Sequence, residues 1–285
     1  PICSEESPET EITSTCSRTK ALFHVVSVTL LSLLFPLSFV LLSRLSFSTA
    51  ISDGDAPEAA SSISAIILWT LRYFDPPFLY ATISTLSVAT LLHGLTGGAC
   101  SPAATDEPKL SFAWILLICL QLCVGLGIEG TVAINSYWYQ AFMYEETSMF
   151  TRVALFLGLH EVMKFWSITF VKPVVDDTVY GRPLPERWIE RATIAVAFGG
   201  IWWLCLRDEV DLLVLLAGIR KEMKMIGMVD YIAWWLYYLI ITIGVFRMLK
   251  VVVNVGYLLA FGRLKTKDES GNKCDYVLWE EEEKV

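Results

Sequence analysis

The chain predicts an all-α, polytopic integral membrane helical bundle that self-assembles, and three observations lead there. Hydrophobic residues make up 54% of the 285 and charged residues only 18%, against about 25% charged in a soluble domain. Several apolar runs approach the roughly 20 residues a helix needs to cross a bilayer; mean hydropathy is +0.53. Polar side chains interrupt those runs where lipid tolerates them poorly, at a cost of about 2.5–3.5 kcal/mol each. Counting the runs gives four to six spans.

Taken in order, residues 1–20 are rich in Ser, Thr and Glu, a composition that predicts a disordered polar N-terminus. The chain does not begin with Met, so the numbering is expected to start inside a longer product or after processing. No small-residue cleavage pattern follows the first apolar run, Ala21–Ser43, which reads as an uncleaved anchor bent at Pro36. His24 falls at its edge and is expected at the interface. Ser61–Tyr73 is apolar but short, and Asp75-Pro76-Pro77 is expected to stop it, which leaves it at the interface or as part of a longer tilted helix. Phe78–Leu95 then restarts as the second span, because proline suits a helix start.

Ser111–Val171 forms the centre: two membrane-length segments, Ser111–Ile128 and Thr151–Val171, flank the polar, aromatic link Glu129–Phe150. Lys172-Pro173 is expected to end the second of them and Val174–Pro185 to be a polar loop. Ile189–Leu206 is the next span, with Trp202-Trp203 near its end, as suits an interface. Asp208–Met225 reads as an interfacial or buried helix, acidic before and basic after its apolar middle. The transmembrane domain as a whole covers residues 21–262, and 263–285 form a charged C-terminal tail.

Ile226–Gly262 is the longest apolar stretch. As one helix it would extend about 55 Å at 1.5 Å per residue, more than the roughly 30 Å hydrocarbon layer. Arg247 and Lys250 are expected to mark the membrane boundary, and Val251–Phe261 to continue beyond it, where apolar surface calls for a partner. Arg247, Lys250 and Asn254 share one face at helical spacing. With six spans both termini share a side; the basic residues at Arg18 and Lys20, Lys172–Arg191 and Arg263–Lys267 would make it cytosolic, while Arg207–Lys224 breaks the pattern.

Several function classes lose ground. A net charge of −8 argues against nucleic acid, whose phosphates call for clustered Lys and Arg. The seven cysteines contain no C-x-x-C pair; Cys119 and Cys123, four apart, read as small packing residues. His160-Glu161-x-x-Lys164 approaches the zinc-protease pattern, but lysine replaces the second histidine ligand and would set a positive charge beside the metal. No metal, cofactor or catalytic residue is therefore assigned. Of three histidines, His24 and His93 read as peripheral, which leaves His160 without a mate for haem. No internal repeat of a transporter kind is evident.

A cation channel asks less of one chain. Symmetric assembly turns a single carboxylate into a ring that draws cations into a narrow mouth. Glu129, Glu145 and Glu146 cluster between the two central spans, although each alone reads more readily as a solvated loop acid. Gln121 and Asn135 could line one helix face with Gly125 and Val132. Glu161 is a further candidate, with an ion pair to Lys164 three residues on as its structural alternative. Asp230 is another, or else simply favours a helix N-terminus.

The polar N-terminus, the few spans, the aromatic link Tyr137-Trp138-Tyr139 and Tyr144-Glu145-Glu146, and the final helix rich in Trp234, Trp235, Tyr237 and Tyr238 together resemble the WeiTsing family of plant immune membrane proteins. The resemblance is one of layout over most of the chain. It implies an endoplasmic-reticulum homo-pentamer with a central pore passing cations including calcium, in support of immune signalling; no pore residue is carried over from it. The expected partners are thus the lipid bilayer, copies of the chain itself and permeant cations. A non-conducting scaffold or accessory subunit is the alternative, and a lipid-modifying enzyme using His160 and Glu161 comes third.

Overall fold

The computed structural model describes residues 8–51, 62–96, 107–132, 148–207, 209–210 and 228–268. Among these the chain is almost entirely helical, without strands. The elements are α1 (Pro8–Ser32), α2 (Leu34–Ile51), α3 (Ser62–Leu95), α4 (Glu107–Val132), α5 (Met149–Trp166), α6 (Lys172–Tyr180), α7 (Trp188–Ile201) and α8 (Met228–Asp268). Five helical stretches are long and apolar enough to cross a membrane: Ser17–Arg44, Pro76–Leu95, Met149–Tyr180, Trp188–Leu206 and Asp230–Leu259; Lys109–Gly125 within α4 is a shorter apolar helix. By length and composition this is the architecture of an integral membrane bundle.

Contacts at the two ends set the direction of each helix. At one end the start of the Ser17–Arg44 span meets α6 and the start of α7, through His24, Asp176 and Glu190. At the other, Ser43 and Arg44 at the end of the α2 span meet Glu209, just past α7. His93 near the end of α3 touches Phe165, Phe112 near the start of α4 touches Phe170, and Arg247 of α8 pairs with Glu161 of α5. The chain therefore runs out along α1–α2, back along α3, out along α4, back along α5–α6 and out along α7; α8 runs beside α5 in the same direction.

Breaks rather than loops shape two of these passes. α1 yields to α2 at Leu33. Pro36, which has no N–H to offer the Ser32 carbonyl, accounts for the bend expected there. Lys172-Pro173 does not end a helix. A wide π turn at Ser167–Val171 takes up the proline: the Lys172 N–H reaches back to the Ser167 carbonyl, five residues away, and α6 continues to Tyr180. Most of the predicted loop is thus helix, closed by Gly181 at φ 64°, the left-handed cap glycine supplies without strain. The Asp75-Pro76-Pro77 stop fails similarly, since α3 passes through both prolines. Membrane-type helices bear such interruptions when neighbours pack around the freed carbonyls.

The core is apolar and continuous, with Phe35, Phe39, Leu79, Ile83, Leu120, Leu159, Trp166 and Phe198 fully enclosed. α5 and α8 approach so closely that a Cβ on Gly158 would collide with the Ile240 carbonyl, and one on Gly244 with the Ala154 carbonyl. Small residues at a helix crossing bring backbones into dispersion contact, the main attraction between helices in lipid. Past that crossing α8 parts from its neighbours, and every residue from Leu249 to Leu259 is exposed.

Candidate functional site

Among the described residues, two groups of charged side chains lie within the spans, besides the Arg44–Glu209 pair at a span end. The first lies where α5 and α8 cross. The sequence offered Glu161 as a pore candidate or as the partner of Lys164 on its own helix; its carboxylate pairs instead with the Arg247 guanidinium of α8. Arg247 and Glu161 each lie twelve residues from the nearer end of their apolar helical stretches, which at 30 and 32 residues exceed the roughly 20 a bilayer crossing needs. The pair is not sealed, with side-chain exposures of 36% for Arg247 and 26% for Glu161. Lys164 is half-buried one turn from Glu161, and Lys250 and Asn254 continue the Arg247 stripe in the open. His160 turns another way, against Phe156 and Phe198, with ring centroids 6.5 and 5.6 Å distant.

The second group is closed. His24 Nε2 lies 2.5 Å from Asp176 Oδ1, and its Nδ1 lies 3.7 Å from Glu190 Oε1. Lys172 Nζ stands 3.3 Å from both Asp176 Oδ2 and Glu190 Oε2. The Leu184 N–H also donates to Asp176 Oδ2 at 3.1 Å, tying in the α6–α7 connection. None of the four residues is more than 8% exposed. His24, expected at the edge of its span, is thus buried within the protein, because α6 and α7 close over the start of the Ser17–Arg44 span. Two carboxylates hold one ammonium and one imidazole between them, so each charge has a partner without water.

Of the predicted site residues, only Gln121, Glu161 and Asp230 have described side chains. Gln121 is exposed on α4. Glu129 lies in the last turn of α4, where the backbone alone is described. Asn135, Glu145 and Glu146 lie outside the described residues, as does most of Asp208–Met225. Asp230 sits in the first turn of α8, half-buried and engaged by a neighbour. Only Glu161 enters one of the two charged groups. His24, Asp176 and Glu190 were missed as a set; the i, i+4 spacing of Lys172 and Asp176 was a usable signal once that segment is read as helix. Among the described residues no group of His, Cys, Asp and Glu could hold a metal ion.

Fold and charges together define a helical bundle of membrane type with one sealed and one half-open polar group. Compared with known proteins, the chain matches no family model, no curated relative and no solved structure.

Proposed function

We propose that the chain assembles with copies of itself around an aqueous axis and conducts cations, calcium among them, across an intracellular membrane. On the layout resemblance to the WeiTsing family, this is a pentameric endoplasmic-reticulum channel in plant immune signalling. One observation carries the channel reading: the Glu161–Arg247 pair is about a third exposed, within two apolar helical stretches, on a protomer whose α8 is uncovered beyond it. Charge within such stretches calls for water or protein rather than lipid, and a ring of protomers supplies both. A guanidinium on Glu161 blunts its pull on a passing cation, so attraction at the mouth falls to Glu129, Glu145 and Glu146, with Glu161–Arg247 as a contact that opening must rearrange.

Purified protein in planar bilayers tests this. Cation currents are expected; replacing Glu145 and Glu146 together by Gln should reduce calcium permeability, and Glu161→Gln should change open probability. Silent bilayers despite confirmed insertion, or a strictly monomeric detergent-corrected mass, defeat the reading. The scaffold alternative draws on a specific observation as well: both polar groups find partners within one protomer, as helix-binding glue would. A lipid-modifying role for His160 and Glu161 fits less well, because Arg247 occupies the carboxylate and the imidazole faces aromatic rings.

A further inference from the structure

Lysines meet opposite company in the two charged groups. At the cap formed by α1, α6 and the start of α7, Lys172 Nζ has two carboxylates at 3.3 Å, those of Asp176 and Glu190. Where α5 and α8 cross, a single carboxylate serves three cations. Glu161 pairs with Arg247. Lys164 and Lys250 follow about one turn further along their helices, and among the described residues neither has an acidic partner. The register of the crossing sets these two lysines level with each other. A Cβ on Gly158 would meet the carbonyl one turn before Gly244, and one on Gly244 the carbonyl one turn before Gly158, so the two glycines face each other. The 86 positions between them also separate Glu161 from Arg247 and Lys164 from Lys250, on helices that run in the same direction.

The surroundings of this excess charge are apolar. On α8, Val251 and Leu258 share the side of the helix that carries Arg247, Lys250 and Asn254, and every residue from Leu249 to Leu259 is exposed. α3 ends close by: a Cβ on Gly94 would lie 3.7 Å from the Phe246 ring, and Leu92 and Leu95 in the same last turn are exposed. Lys164 is half-buried between these surfaces and the bundle.

We propose that this corner of the α5–α8 crossing binds an anionic phospholipid. Lys164, Lys250 and the Arg247 donors that Glu161 leaves free hold the phosphate, and the acyl chains lie along α8 and the end of α3. An ammonium within an apolar helical stretch is costly until a counter-charge meets it, and basic recesses between membrane helices accept anionic headgroups in this way. A guanidinium carries five N–H donors, so Arg247, 36% exposed at its side chain, keeps some for a second acceptor. Free phosphate would find the same cations but gain nothing from the exposed valines and leucines, so the apolar walls favour a lipid. The contacts come from one protomer, and the inference holds whether or not an assembly conducts.

The test uses the full chain in mild detergent, titrated with phosphatidic acid or with phosphatidylcholine of the same acyl chains, bound lipid being counted by native mass spectrometry. Phosphatidic acid should bind more tightly. Lys164→Gln and Lys250→Gln should each lower its affinity about fivefold, the fold-change that corresponds to about 1 kcal/mol per basic residue beside an anionic lipid. Lys250 is fully exposed, so its replacement leaves the packing intact and keeps the test decisive should Lys164→Gln not fold. Equal binding of the two lipids, or a preference that both lysine variants retain, overturns the assignment. An equal loss on replacing the exposed Arg18 and Lys20 by Gln does so too, since the preference would then follow overall charge. Displacement of phosphatidic acid by millimolar inorganic phosphate would give the site to a free anion. Delipidated oligomers that the lysine variants dissolve would give it to a carboxylate of a second copy, and either result defeats the lipid.

Discussion

The sealed cluster at the cap and the half-open pair at the α5–α8 crossing contain similar groups in different surroundings. Both link helices remote in sequence, and both set carboxylates against permanent cations. At the cap four groups answer one another and none of their side chains is more than 10% exposed. At the crossing a single carboxylate and a single guanidinium meet, and about a third of the guanidinium stays accessible. Enclosure turns charge into a structural tie, because any group removed leaves its partners stranded. Partial exposure leaves a charge that something outside the protomer can still reach. The difference in burial, rather than in residue type, separates what holds this fold from what is available for function.

The sharpest way to break that comparison is Lys172→Met, which strands two buried carboxylates. It should cost about 3–5 kcal/mol, the usual result of removing one partner from a buried ion group, measured by denaturant unfolding in mild detergent. A cost below about 1 kcal/mol, the range of surface pairs, would mean that water reaches the cluster. Gly244→Ala drives a methyl into the Ala154 carbonyl and should cost about 1–3 kcal/mol, whereas Gly125→Ala, with open space around it, should lack that overpacking penalty. Arg247→Met comes next, at about 0.6–1.7 kcal/mol, the scale of polar contacts between membrane helices; a loss as large as that of Lys172→Met would erase the distinction between the two groups. Smallest is Val252→Ser on the exposed stretch of α8, within about 0.5 kcal/mol for the protomer. Its effect should appear in detergent-corrected mass, as a shift toward smaller species if α8 joins copies of the chain.

Much of the helical layout was legible because it rests on local chemistry. Apolar runs of membrane length show in the residue order, and α4, α5 and α7 lie where those runs lie. Proline misled twice, at Pro76-Pro77 and at Pro173, because what happens to the freed carbonyls depends on packing and on a π turn that leaves no mark in composition. The Glu161 pairing was misjudged for a related reason: Lys164 is near in sequence, while Arg247, 86 positions on, arrives only through the glycine-lined approach of α8. His24 looked peripheral because residue order shows the start of a run but not what folds over it.

Residue order by itself determined that this chain is helical and apolar enough to cross a membrane, since the length and hydropathy of a helix belong to the segment alone. Only the tertiary structure decided which charges are sealed and which remain open, since burial is a property of neighbours, and the neighbours of His24 and Glu161 come from helices that the sequence keeps far apart.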